Sequence, residues 1–239
     1  MARPLLLPIV WTGVVGSLLA GQTVPYGVID VKNGGTLSGT VSGASRPVVP
    51  LVVTRSVATC GPETPNPSLE IGAAGALKNA VVSIDPVPAG KAFPPGGGST
   101  PLEMRGCVFV PHVAVLPFAT PLVMVNRDRL LHHVEVYSGS EAILTTVLPV
   151  SGYRAERRID KTGRFTVRSA AGFSWMSAIL VVSPHPYVAV TDARGSYVMK
   201  SVPPGSYTVT VWHETLGEKT ASVLVEPRRT AVLDFVLSN

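Results

Sequence analysis

The stretch Tyr187-Val188-Ala189-Val190-Thr191-Asp192-Ala193-Arg194-Gly195-Ser196-Tyr197-Val198-Met199, continued by Val202-Pro203-Pro204-Gly205-Ser206-Tyr207-Thr208-Val209-Thr210-Val211-Trp212, decides the fold class. Apolar and polar residues alternate at period two, the signature of a half-buried strand. Asp192 to Gly195 punctuates the first pair of strands and Pro203-Pro204-Gly205 the second, each with residues that suit tight turns. The tyrosines fall on the inward phase. Ser222-Val223-Leu224-Val225 and Ala231-Val232-Leu233-Asp234-Phe235-Val236 continue the series. Strands at such short, regular spacing predict a β-sandwich.

Upstream the period stays near two. Thr36 to Val41 alternates, Ala80 to Ile84 is a β-branched run ending at Asp85-Pro86, and His133 to Tyr137 alternates again. Val108-Phe109-Val110, Val113 to Leu116 and Leu122 to Val125 are apolar runs separated by Pro111 and Pro117. Phe165 to Val167 and Ala178 to Val182 follow. No segment combines a helical stripe with caps, so the expectation is an all-β chain. With 46% hydrophobic and 15% charged residues it carries enough apolar material for a packed core, which excludes a disordered chain. Two Pro- and Gly-rich stretches, Gly43 to Pro50 and Ala89 to Pro101, read as linkers or surface loops.

Residues 1–21 read as a signal peptide: Arg3, an apolar stretch from Leu5 to Leu19, then Ala20 and Gly21. The expectation is a periplasmic or secreted protein of the bacterial cell envelope, with no membrane span after cleavage and retention as an anchor as the alternative. In an exported chain two cysteines, Cys60 and Cys107, most simply form one disulfide. It closes a loop of about 48 residues, worth on the order of 3–4 kcal/mol. The formal charge of +5 is mild. The basic stretch Arg154, Arg157, Arg158, Lys161, Arg164 and Arg168 is broken by Glu156 and Asp160 and reads as a solvated face rather than a nucleic-acid site.

The C-terminal segment quoted above resembles the carboxypeptidase regulatory-like, transthyretin-type β-sandwich. Gly35 to Val41 and Lys78-Asn79-Ala80-Val81-Val82 are similar to that family's opening half. The resemblance implies a sandwich split in sequence, with its N-terminal part at 34–100 and its C-terminal part at 184–239. Between them, Cys107 to Val113, Leu122-Val123-Met124-Val125-Asn126-Arg127-Asp128 and Leu131-His132-His133-Val134 resemble a cupredoxin, placing a Greek-key sandwich at 104–183. The combination is similar to exported bacterial proteins described as methylamine-utilisation-like.

A blue-copper site takes two imidazoles, one thiolate and a weak axial Met. The cupredoxin resemblance puts the first His at His132 and the Met at Met176. It places the thiolate at Ala170 and the second His at Phe173, neither of which has a donor atom. The implied metal set is therefore degenerate: His132 and Met176, with His112 as a third donor. His132 and His133 are adjacent, so on a strand they face opposite sides. The expected reading is a non-enzymatic envelope scaffold without a cofactor, its partner an unidentified envelope protein or a glycan. Copper at a rebuilt site is the first alternative. A carbohydrate-binding module with an aromatic platform from Tyr153, Trp175 or Trp212 is the second. No catalytic residues are expected: there is no nucleophile elbow, no phosphate-binding loop, and His213-Glu214 lacks the second His of a zinc-protease helix.

Overall fold

The computed structural model describes residues 26–44, 47–95 and 100–238; the signal-peptide reading of 1–21 lies outside the described residues. In chain order the strands are β1 (Gly27–Val28), β2 (Gly35–Gly43), β3 (Leu51–Val52), β4 (Glu63–Thr64), β5 (Val81–Asp85), β6 (Ala89–Gly90) and β7 (Leu102–Arg105). Then come β8 (Val108–Val110), β9 (Val113–Pro117), β10 (Leu122–Asn126), β11 (His132–Ser138), β12 (Glu141–Leu148), β13 (Arg154–Arg157), β14 (Gly163–Ser169) and β15 (Ser177–Ser183). The last six are β16 (Val188–Val190), β17 (Ser196–Val202), β18 (Gly205–His213), β19 (Gly217–Val225), β20 (Thr230–Val232) and β21 (Phe235–Leu237). A single-turn helix, α1 (Val57–Cys60), lies between β3 and β4. The fold is an all-β sandwich architecture.

The large sheets form four layers. The first has the order β13-β10-β7-β8 and the second β12-β11-β14-β15-β9. The third has the order β16-β5-β18-β19, and the fourth β17-β2-β20 with β21 also on β2. One core fills the space between layers one and two, with Leu102, Met104, Phe109, Leu122 and Met124 facing Leu116, Val134, Val136, Phe165 and Leu180. A second lies between layers three and four, where Val82, Ile84, Val209 and Val211 meet Leu37, Val41, Tyr197, Met199 and Phe235. A small apolar seam joins the two sandwiches: Val81, Val113, Ile179 and Val181, with Val115, Val188, Val190 and Trp212 packed on it.

Local sequence explains the register. The turn between β16 and β17 is held by Asp192, which accepts from the amides of Arg194 and Ser196, both at 2.9 Å. Gly195 takes φ +70, and a Cβ there would meet the Val41 carbonyl at 2.4 Å, so only glycine fits. β20 and β21 are separated at Leu233-Asp234, where Asp234 accepts from both the amide (2.6 Å) and the hydroxyl (2.8 Å) of Thr40. β2 pairs with β17 on one side and with β20 and β21 in parallel on the other. The strand from the first part of the chain is thus completed by strands some 160–190 residues later.

Residues 51–64 depart from the expectation that 34–100 belongs to the second sandwich. Val53 is buried in the core of the first, and Leu51 and Cys60 pack against it. Cys60 is bonded to Cys107 with a Cα separation of 5.5 Å. The short β3–β4 ladder closes this strap. The cause is covalent and hydrophobic together: the crosslink fixes Cys60 to the first sandwich, and Val53 and Leu51 bury apolar surface there.

Candidate functional site

The site begins at the end of β10. Asn126 is fully buried; its side-chain amide donates to the carbonyls of Leu130 (2.7 Å) and Leu148 (3.0 Å), and its oxygen accepts from the Asp128 amide at 2.9 Å. That brackets the loop leading into β11 and aims Asp128 inward. The Asp128 carboxylate collects three donors: the amides of Gly106 (2.6 Å) and Cys107 (3.0 Å) and Nε2 of His132 (3.0 Å). Burial by itself would raise the Asp128 carboxyl, but the bonds from His132, Cys107 and Gly106 outweigh it and hold it below the usual carboxylate range.

His132 is 0% exposed. In the neutral ring, with Nε2 donating to Asp128, Nδ1 carries the lone pair, and among the described residues it has no hydrogen-bond partner. The ring lies against Phe173, centroids 5.3 Å apart. Phe173 in turn meets the edge of Trp175 at 5.4 Å, and Trp175 Nε1 donates to the Cys107 carbonyl at 2.9 Å. Met176, also buried, closes a tight turn through its amide to the Phe173 carbonyl at 3.0 Å. From outside, the strap places the Arg55 guanidinium 6.0 Å above the Phe173 ring.

The predicted residues are therefore only partly gathered. His132, Phe173 and the turn ending at Met176 come together. His112 does not join them: Nδ1 donates to the Ser177 carbonyl at 3.1 Å, and Nε2 pairs with Glu214 in the other sandwich. Ala170, expected at the vacated thiolate position, is exposed. Its amide continues the ladder to the His133 carbonyl at 2.7 Å, so strand alternation turns it outward with Arg168, and Ala171 packs on the core instead. Cys107 lies nearer the site than its place in the sequence suggests, since its amide shares the Asp128 carboxylate with His132. Among the described residues no three His, Cys, Asp or Glu side chains converge on a metal position. A copper ion of the cupredoxin kind finds one imidazole here, beside a phenyl ring and a guanidinium, and the residues do not fit it.

Sequence reasoning missed Arg55 and Asp128. The Asn126-Arg127-Asp128 motif was the available signal for Asp128. Nothing local marks Arg55. Of the expected aromatic platform, Trp175 is buried, Trp212 is half-buried beneath Arg164 at 4.6 Å, and Tyr153 is exposed.

A model of the carboxypeptidase regulatory-like domain matches residues 166–238, under a third of the chain. The match begins within β14, so its first part lies in the first sandwich and the rest in the second. No curated protein matches the chain. Among solved structures, a copper-containing nitrite reductase from Thermus scotoductus is similar at 25% identity and a TM-score of 0.31, over 39% of this chain and 24% of that one. The chain thus spans about a quarter of the reductase. A purple cupredoxin from Nitrosopumilus maritimus is similar at 20% identity and a TM-score of 0.28, over 32% of this chain and 82% of that one. An amicyanin variant in its oxidised state is similar at 14% identity and a TM-score of 0.31, over 36% of this chain and 83% of that one.

Proposed function

We propose that this protein is a non-enzymatic scaffold of the bacterial cell envelope whose cupredoxin-like sandwich has exchanged a metal centre for packing. The observation that carries the reading is the Phe173 ring seated against His132, where a ligand set would have to be. Arg55 above it adds a fixed positive charge, which opposes entry of a second cation. The Cys60–Cys107 bond keeps that strap in place and suits an oxidising compartment, which supports a periplasmic or secreted location. The paired sandwiches would present their outer faces to an envelope protein or a glycan. Of the three platform aromatics Tyr153 is the exposed one, with Trp175 buried and Trp212 covered by Arg164.

A second reading, soft-metal binding by His132 with Met176, is favoured by one observation: the buried, unpartnered Nδ1 of His132. Titration of copper into the full chain, followed by metal analysis and visible absorption, separates the two. The scaffold reading expects no retained metal and no thiolate-to-copper band. One tightly held equivalent would overturn it.

A further inference from the structure

A polar cluster at the seam between layers two and three takes no part in the site above. His112 is 7% exposed. Its Nδ1 faces the Ser177 carbonyl and its Nε2 faces Glu214, so the ring bridges two acceptors across the seam. Glu214 is presented by the turn joining β18 to β19. That turn is shaped by His213, 1% exposed, whose Nδ1 accepts from the Thr215 amide at 3.2 Å. The Thr215 hydroxyl donates to the Ser68 carbonyl at 2.5 Å, and Leu216 is buried in the second core.

We propose that this turn is an acid-sensitive latch between the two sandwiches: protonating His213 reshapes the turn, withdraws Glu214 from His112 and loosens the seam. The geometry supplies the reason. A neutral His213 accepts the Thr215 amide on Nδ1. A charged ring carries a proton on both nitrogens, so Nδ1–H then confronts the N–H of Thr215 and that bond is lost. The charge would also sit in a pocket that water does not reach.

The groups facing His213 are known. Burial lowers its proton affinity most; Glu214 raises it, His112 lowers it again and the Lys78 backbone raises it, with the net effect below the usual histidine value of 6.5. Arg164 and Glu218, 3.1 Å apart, flank the same hairpin at Trp212 and hold the other side of the seam. For a histidine whose folded value is depressed, the stability it supports is complete above the unfolded value. That stability is lost as pH falls through and below about 6.5.

The test uses the full chain. Hydrogen exchange is followed at about pH 7.5 and about pH 5.5, corrected for intrinsic rates. The latch predicts that amides of β9, β15, β16 and β18 lose protection by up to about tenfold at the lower pH, the most one histidine can supply over this interval, while those of β7 and β10 in the first layer keep theirs. His213→Asn keeps an acceptor near the Nδ1 position and does not titrate, so its seam protection should be flat across the range. Should that variant not fold, the wild-type ring titration of His213 is followed by NMR beside the Trp212 indole, and both must move with one midpoint below 6.5. Seam protection unchanged by pH, loss of equal size in His213→Asn, or independent midpoints would each overturn the latch.

Discussion

Replacing Phe173 by alanine tests whether packing fills the space beside His132. The ring is 3% exposed, touches the imidazole of His132 at 5.3 Å and meets Trp175 edge to face at 5.4 Å. Large-to-small changes of a buried phenylalanine cost about 3–5 kcal/mol when the cavity does not collapse. An edge-to-face pair contributes about 0.5–1.5 kcal/mol of that kind of loss. The walls here are held independently: Asp128 fixes His132, the Cys107 carbonyl fixes Trp175, and the crosslink fixes the strap. Collapse is therefore restricted, and the expected loss is about 4 kcal/mol. With a urea m-value of about 2–3 kcal/mol/M, the denaturation midpoint should fall by about 1.3–2 M. The assay is equilibrium urea unfolding read by far-ultraviolet circular dichroism, with Leu131→Ala, an exposed neighbour of His132, as a control near zero. A loss under about 1 kcal/mol for Phe173→Ala would refute the argument, because it would mean that the ring is not supporting a packed pocket.

Other consequences follow from the same contacts. Removing both cysteines (Cys60→Ser with Cys107→Ser) should cost about 4 kcal/mol for a separation of 47 residues, and reducing the wild type should lower its melting temperature in step. Asp128→Asn leaves the Gly106 and Cys107 amides and His132 sharing a weaker acceptor; a loss of about 2–3 kcal/mol at neutral pH is expected. Since the Asp128 carboxyl is held below its usual range, its contribution is complete above about pH 4 and disappears as pH falls through the lower folded value, so the variant should show a shallower acid transition than the wild type. Gly172 has φ +82, and a Cβ there would lie 2.8 Å from the Arg55 guanidinium. Gly172→Ala should therefore cost about 1–2 kcal/mol, with part of that loss relieved in an Arg55→Ala background, measurable as a double-mutant cycle.

The strands were legible because alternation and turn chemistry are local. The runs at Val108, Val113 and Leu122 became β8, β9 and β10, and the Asp192–Gly195 and Pro203–Gly205 turns fell where the residues demanded. The run Ala178 to Val182 carried more than a strand signal: it is apolar at every position, the pattern of a strand covered on both faces. Leu180 and Val182 do pack into the first core while Ile179 and Val181 form the seam. The seam was therefore readable in principle. The strap was legible only through its Cys60–Cys107 crosslink; the docking of Leu51, Val53 and Arg55 has no periodicity to mark it. Ala170 and Phe173 were placed by matching a motif, and only the structure separates them: strand alternation sends one outward and leaves the other against His132. His112 was grouped with His132 on residue type alone, and the partner that draws it away, Glu214, lies 102 residues along the chain.

His132 holds Asp128 through Nε2 and packs against Phe173; in the proposed reading its Nδ1 serves no metal. The direct measurement is nitrogen-15 NMR of the His132 imidazole in the full, disulfide-bonded chain, before and after one equivalent of copper(I). A proton on Nε2 and an Nδ1 resonance unmoved by the metal are expected. A metal-dependent shift at Nδ1, accompanied by perturbation of the Met176 methyl, would contradict that reading.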